Sequence, residues 1–147
     1  TLTIEWTNAK KEYAMFMDHI VLNAEDEYLL MDFYTDIIGL EPDRLELYHR
    51  GEVPFPSARI SAGTIIDIFP KKMWSESGNQ TIGRPNLNHF CMGFSRDDWE
   101  ALRGRLQQTG VEIFRGPENV WGAHGQGISI FFHDPEGNIV EAKYYEV

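Results

Sequence analysis

The feature that most restricts how this chain can fold is an internal duplication. A strand-like segment, a helical segment and three more strand-like segments fill residues 17–70. The same order returns in residues 87–145. In the first copy "MDHIVLN" (17–23) alternates its side chains as a strand does. "AEDEYLLMDFYTDIIG" (24–39) predicts a helix, with acids in the first turn, Leu29, Leu30, Phe33, Ile37 and Ile38 as its apolar face, and Gly39 as its stop. "LEPDRLELYHRG" predicts strand and turn. "SARISAGTIIDIFP" (57–70) predicts two strands bent at Gly63. In the second copy "LNHFCMGF" (87–94) predicts a strand and "SRDDWEALRGRLQQTG" (95–110) a helix capped by Ser95. "VEIFRGPENVWGAHGQG" follows as strand and loop, and "ISIFFHDPEGNIVEAKYY" (128–145) as a hairpin about residues 134–138. Residues 71–86 are polar and read as a linker, and residues 1–16 as an N-terminal extension. The expectation is an α+β fold: one domain over 17–147 made of two βαβββ modules. At 147 residues the chain is one domain, or two half-size units sharing a core.

The duplication also pairs four polar residues. His19 and His89 lie mid-strand in "MDHIV" and "LNHFC", 70 residues apart. Asp67 and Glu141 lie in the last strands, "TIIDIF" and "NIVEAK", 74 residues apart and flanked by apolar residues. A lone strand histidine is usually a hydrogen-bonded structural residue, and a lone strand acid usually faces water. The joint register of type, element and spacing points elsewhere. If the modules pair about a pseudo-twofold axis, two imidazoles and two carboxylates converge. That donor set suits a divalent cation such as Zn, Ni, Mn, Fe(II) or Co. The ion would also relieve the cost of burying the carboxylates.

The closing stretch "GAHGQGISIFFHDPEGNIVEAKYY" and the opening "MDHIVLNAEDEYLLMDFYTDIIGLE" resemble the vicinal oxygen chelate superfamily, the glyoxalase/bleomycin resistance/dioxygenase fold. The resemblance covers about residues 17–145. It implies that the two modules curve into an incomplete barrel around a metal, with modules paired or swapped in a homodimer. It places His19, His89 and Glu141 on family ligand positions. Asp67 falls on the fourth, where Glu, Gln or His is more usual, and is one methylene shorter. Without Asp67 the set would be two histidines and one carboxylate, the facial triad of non-haem iron oxygenases. In glyoxalase-like members the metal binds neighbouring substrate oxygens and stabilises an enediolate-type intermediate. A ligand carboxylate can act as base there, and Glu141, with its longer arm, is the choice for that role.

Strand alternation puts Lys143 and Tyr145 on the face of Glu141, and Cys91 on the face of His89. Lys143 near the metal could hold a carboxylate or phosphonate, against a plain reading as a snorkelling edge residue. Cys91 has no base beside it in sequence and reads as a small core residue rather than a nucleophile, though its place on the ligand face keeps it a candidate. His124, in the glycine-flanked "GAHGQG", is a candidate catalytic loop residue, and Trp121 a candidate cavity wall. Arg59 and Arg115 are candidates for gripping an anionic substrate. His133 and His49 read as turn residues.

The expected function is a metal-dependent lyase or isomerase of glyoxalase type acting on a small molecule. Its competitors are an Fe(II) extradiol-type dioxygenase using His19, His89 and Glu141, an antibiotic-resistance transferase, and a metal-free module that sequesters an antibiotic. A formal net charge of −10 with no basic stripe argues against nucleic acid as partner. No apolar run approaches the ~18 residues of a membrane span. The single cysteine, Cys91, fits a reducing compartment, so the expected location is the cytoplasm.

Overall fold

The computed structural model describes residues 17–76, 87 and 89–146. The extension 1–16 and residues 77–86 of the expected linker lie outside the described residues. Each half of the chain forms its own four-stranded mixed sheet. The first contains β1 (His19–Ala24), β2 (Glu41–Asp43), β3 (Ser57–Ser61) and β4 (Thr64–Pro70), ordered β1-β4-β3-β2. The second contains β5 (Phe90–Gly93), β6 (Arg115–Gly122), β7 (Gly125–His133) and β8 (Ile139–Tyr144), ordered β5-β8-β7-β6. In both, the first strand runs parallel to the last and the other neighbours are antiparallel. The sheets are open rather than closed on themselves. The two βαβββ units therefore have one topology.

Helix α1 (Glu27–Asp32) starts at Asp26, whose carboxylate accepts from the Leu29 amide, and runs into a π-helical turn at Phe33–Ile37. Helix α4 (Arg96–Gln108) starts at Ser95, whose hydroxyl accepts from the Asp98 amide, as its sequence predicts. Two short helices depart from the expected pattern. Leu45–His49 form α2 where strand and turn are expected, and Lys71–Glu76 form α3 in the expected linker. Each is about one turn and a half, too short for a helical period to show in the sequence. No helix among the described residues is long and apolar enough to cross a membrane.

One core serves both halves. Leu30, Met31, Phe33, Tyr34 and Ile38 from the first helical segment and Trp99, Leu102 and Leu106 from α4 pack on Ile66, Ile68, Val140 and Ala142 of the sheets. Leu29, expected on the apolar face, is exposed instead, and Met31 and Tyr34 take the buried positions. Alternation along the strands turns Ile66 and Ile68 of β4, and Val140 and Ala142 of β8, toward the helices. Asp67, Glu141 and Lys143 therefore lie on the opposite, open faces of their sheets.

The turn Asp134–Asn138 fastens one half to the other. Asp134 is buried and accepts from the Tyr34 hydroxyl (2.8 Å), from Asn138 Nδ2 (2.7 Å) and from the amides of Glu136 and Asn138 (both 2.9 Å). Glu136 Oε1 accepts from the amides of Glu25 and Asp26 at the start of α1 (2.8 and 3.1 Å). Burial first, then the charge and hydrogen bond of Asp134, hold Tyr34 un-ionised far above the ordinary tyrosine range. In the unfolded chain Tyr34 ionises near pH 10. Its contribution is thus fully present below about pH 10 and is lost as pH rises beyond it. We expect the stability gap between wild type and Tyr34→Phe, read by urea midpoints, to shrink as pH passes from 9 to 11. A gap constant over that range would contradict the assignment.

Candidate functional site

In the second half, Cys91 of β5 and Glu141 of β8 are register partners, and His89 precedes Cys91 by two residues, on the same face. His89 Nε2 lies 3.1 Å from Glu141 Oε2. Its ring sits edge-on to Phe131, centroids 5.7 Å apart. Glu141 is 3% exposed. Its other oxygen, Oε1, accepts from Ser129 Oγ (2.7 Å) and faces Lys143 Nζ (3.5 Å). Both oxygens are therefore engaged, with Oε2 left toward the imidazole.

The first half repeats the arrangement. Val21 and Asp67 are register partners, and His19 precedes Val21 by two residues. Asp67 is buried, and its Oδ1 accepts from Ser57 Oγ at 2.7 Å. His19 Nδ1 lies 2.6 Å from Asp18 Oδ1. The Asp18 hydrogen bond, opposed by desolvation and aided by the charges of Asp67 and Asp18, raises the His19 pKa above its ordinary value. With Nδ1 turned to a carboxylate, Nε2 is the nitrogen left to ligate, the usual arrangement behind metal-bound histidines.

So each half carries one imidazole and one carboxylate on its open face, at equivalent register. Within one chain the two pairs stay apart: among the described residues no three His, Cys, Asp or Glu side chains come close enough to hold a metal ion. The donors do fit a divalent cation. Two donors bound to one ion at about 2.1 Å each sit roughly 3.0–3.4 Å apart, and the His89–Glu141 separation of 3.1 Å falls in that range. His19 and Asp67 share the equivalent register without touching, and if drawn to the same ion they would bring the set to four donors.

The sequence model of the Glyoxalase/Bleomycin resistance protein/Dioxygenase superfamily matches residues 16–142. The chain belongs to this superfamily. Over 131 residues it is 26% identical to the virulence protein STM3117 of Salmonella typhimurium, covering 88% of this chain and 83% of the relative. The crystal structure of that protein superposes with a TM-score of 0.71 at 22% identity, over 92% of this chain and all of the other. A glyoxalase domain-containing protein, RDO1 of Mycosarcoma maydis, is 27% identical over 131 residues, covering 88% of this chain and 68% of the relative. Lactoylglutathione lyase from Agrobacterium tumefaciens shares the fold with a TM-score of 0.60 at 19% identity, over 91% of this chain and 96% of that one.

Beside Glu141 this glyoxalase-superfamily chain has a cavity of about 470 Å³, lined among others by Lys143, Tyr145, Cys91, His124 and Trp121. The structure thus brings most of the sequence-predicted substrate residues to one place. Lys143 is buried, its Nζ donating to the Val120 carbonyl at 2.5 Å. His124, at the tip of the β6–β7 hairpin, stands edge-on to the Tyr145 ring (5.2 Å) and gives its amide to the Tyr145 hydroxyl (3.3 Å). Trp121 is 73% exposed at the lip. Cys91 is exposed on the open face rather than in the core. Crowding around its sulfur, then the nearby Glu141, push its thiol up to about 12, with Lys143 opposing, so it is not a thiolate at neutral pH.

Other candidates are engaged elsewhere. Arg59 binds Asp43 through Nε (3.1 Å) and Nη2 (2.7 Å), and the carbonyls of Ser61 and Ala62 through Nη1. It does not line the cavity. Arg115 pairs with Glu118 and lies over the Phe131 ring. His49 packs on Tyr28 and faces Glu46, and His133 packs on Phe114. Sequence reasoning missed Ser57 and Ser129, the hydroxyls that hold the two carboxylates. Each lies on the strand next to its acid, a relation that strand register reveals and local sequence does not.

Proposed function

We propose that this chain is a divalent-metal-dependent enzyme of glyoxalase type, a lyase or isomerase for a small oxygenated molecule. It works as a homodimer in which His19 and Asp67 of one copy face His89 and Glu141 of the other. The observation that carries this reading is the pair of half-sites. Each is an imidazole and a carboxylate in matching register, each on an open sheet face, and neither completed among the described residues of its own chain. A bound divalent ion would supply Lewis acidity to two neighbouring substrate oxygens. The chain's own groups do the rest. Ser129 and Lys143 fix Oε1 of Glu141, so that its free movement is about Oε2, the oxygen suited to take a proton. His124 at the cavity wall is a second group able to pass one. The cavity shelters the reacting centre from bulk water. The single cysteine agrees with a cytoplasmic location.

One observation favours a second reading. Asp67 has the shorter arm, and Ser57 holds one of its oxygens. If Asp67 stays off the ion, His19, His89 and Glu141 form the facial triad of an Fe(II) dioxygenase.

The test is a mixing experiment. His19→Ala and His89→Ala should each lose the ion. Unfolded and refolded together, they should recover about a quarter of the wild-type metal content, because half of randomly paired dimers are mixed and each has one intact site. No recovery from folded, dimeric mixtures would rule out a site shared between two chains. Turnover of a glutathione hemithioacetal, against oxygen uptake with catechols, then separates the two chemistries.

A further inference from the structure

Lys143 is 2% exposed, a depth at which an ammonium needs a counter-charge. Among the described residues the one carboxylate against it is Glu141, at 3.5 Å. Its other partners are the Val120 carbonyl at 2.5 Å and the Tyr145 ring at 5.8 Å. The β6–β7 hairpin is shaped around this side chain. A Cβ on Gly122 would lie 2.9 Å from Lys143 Cε and 2.3 Å from the Tyr145 hydroxyl oxygen. A Cβ on Gly127 would lie 3.1 Å from Lys143 Cγ and 2.7 Å from the Tyr144 carbonyl oxygen. A side chain at Gly122 would force Lys143 or Tyr145 to shift, and one at Gly127 would meet the Tyr144 backbone first and crowd Lys143 next, so the hairpin leaves room for a cation that opens on the cavity.

An ion pair with Glu141 accounts for Lys143 only while Glu141 keeps its charge to itself. Resting on the metal reading above, the charge balance changes when the ion binds. A divalent cation and the two carboxylates cancel, the imidazoles are neutral, and Lys143 is left as the uncompensated charge beside the cavity. A buried cation without a counter-charge is strongly unfavourable. Asp98, exposed at the cavity rim, disfavours more than one added negative charge.

We infer that Lys143 is the anion-binding residue of this cavity, and that the substrate is a small monocarboxylate. Its carboxylate pairs with the Lys143 ammonium, and its remaining body lies against Trp121 and Tyr145.

The probes are benzoate, its neutral counterpart benzamide, and phenylphosphonate, titrated calorimetrically. Zn(II)-loaded wild type should prefer benzoate to benzamide by at least about tenfold, the scale of one charge-assisted hydrogen bond. Lys143→Met, with its zinc content shown to be unchanged, should lose that preference. Retained preference in loaded Lys143→Met would assign the carboxylate to the metal instead and overturn the inference. Tighter binding of phenylphosphonate than of benzoate would overturn the monocarboxylate assignment. A metal-free arm separates this inference from the metal reading. Glu141→Gln frees Lys143 of its partner without any ion, and should bind benzoate at least about tenfold more tightly than metal-free wild type. If it does while wild type takes up no zinc, the metal reading falls and Lys143 remains an anion site. If Glu141→Gln does not distinguish benzoate from benzamide, the anion site falls.

Discussion

Replacing His89 with alanine is expected to lower divalent-metal affinity by about 100-fold or more while leaving the fold intact. Residues that merely orient a ligand are worth about 10–100-fold in affinity, so a ligand itself should cost at least the upper figure. On the proposed reading His89 is such a ligand, beside Glu141 Oε2 at 3.1 Å from its Nε2. The fold has little to lose. His89 precedes β5, is exposed, and makes its ring contact with Phe131 outside the shared core. Glu141 keeps Ser129 and Lys143, so no carboxylate is stranded. Asp67→Ala should weaken the ion less, because its arm is shorter and Ser57 already holds it. Metal analysis after titration with a chelator of known affinity measures both. Metal retention by His89→Ala equal to wild type would remove His89 from the site.

That His89 can be singled out at all follows from what strands write into sequence. A two-residue period exposes an acid among apolar neighbours, and a duplicated topology exposes it twice. Asp67 and Glu141 do occupy equivalent register, opposite Val21 and Cys91. Helix α4 was equally legible, because Ser95, the acids after it and the spacing of Trp99, Leu102 and Leu106 all agree. Other features left no local trace. Helices α2 and α3 are shorter than the pattern that would reveal them. Ser57 and Ser129 matter because of the strand beside them, ten and twelve residues from the acids they hold. The separation of the two half-sites within one chain is a property of how the modules dock, and strand register says nothing about docking. The segment "HDPEGN" was conspicuous for its turn chemistry, yet its part in the fold lay with a tyrosine and an α1 terminus about a hundred residues away.

That long-range fastening sets the second large effect. Asp134→Ala should destabilise the folded chain by roughly 3–5 kcal/mol, at the upper end for a single substitution. Asp134 accepts four hydrogen bonds, two from side chains and two from amides of its own turn. Its loss leaves the Tyr34 hydroxyl, buried in the shared core, with a donor and no acceptor, a defect worth about 1–3 kcal/mol by itself. It also releases the turn that presents Glu136 to the amides of Glu25 and Asp26, weakening the negative charge placed at the start of α1. A domain of this size has on the order of 5–15 kcal/mol in total, so the variant should unfold at markedly lower urea and lose a large part of its thermal margin. Tyr34→Phe removes the stranded donor along with its hydrogen bond and should cost less, about 1–2 kcal/mol. Adding Asp134→Ala to Tyr34→Phe should then cost less than Asp134→Ala alone, by about the penalty of that donor. Urea midpoints for the four proteins measure the coupling directly. Strict additivity would mean that Tyr34 and Asp134 do not act as one fastening, and that the halves are joined chiefly by their common apolar core.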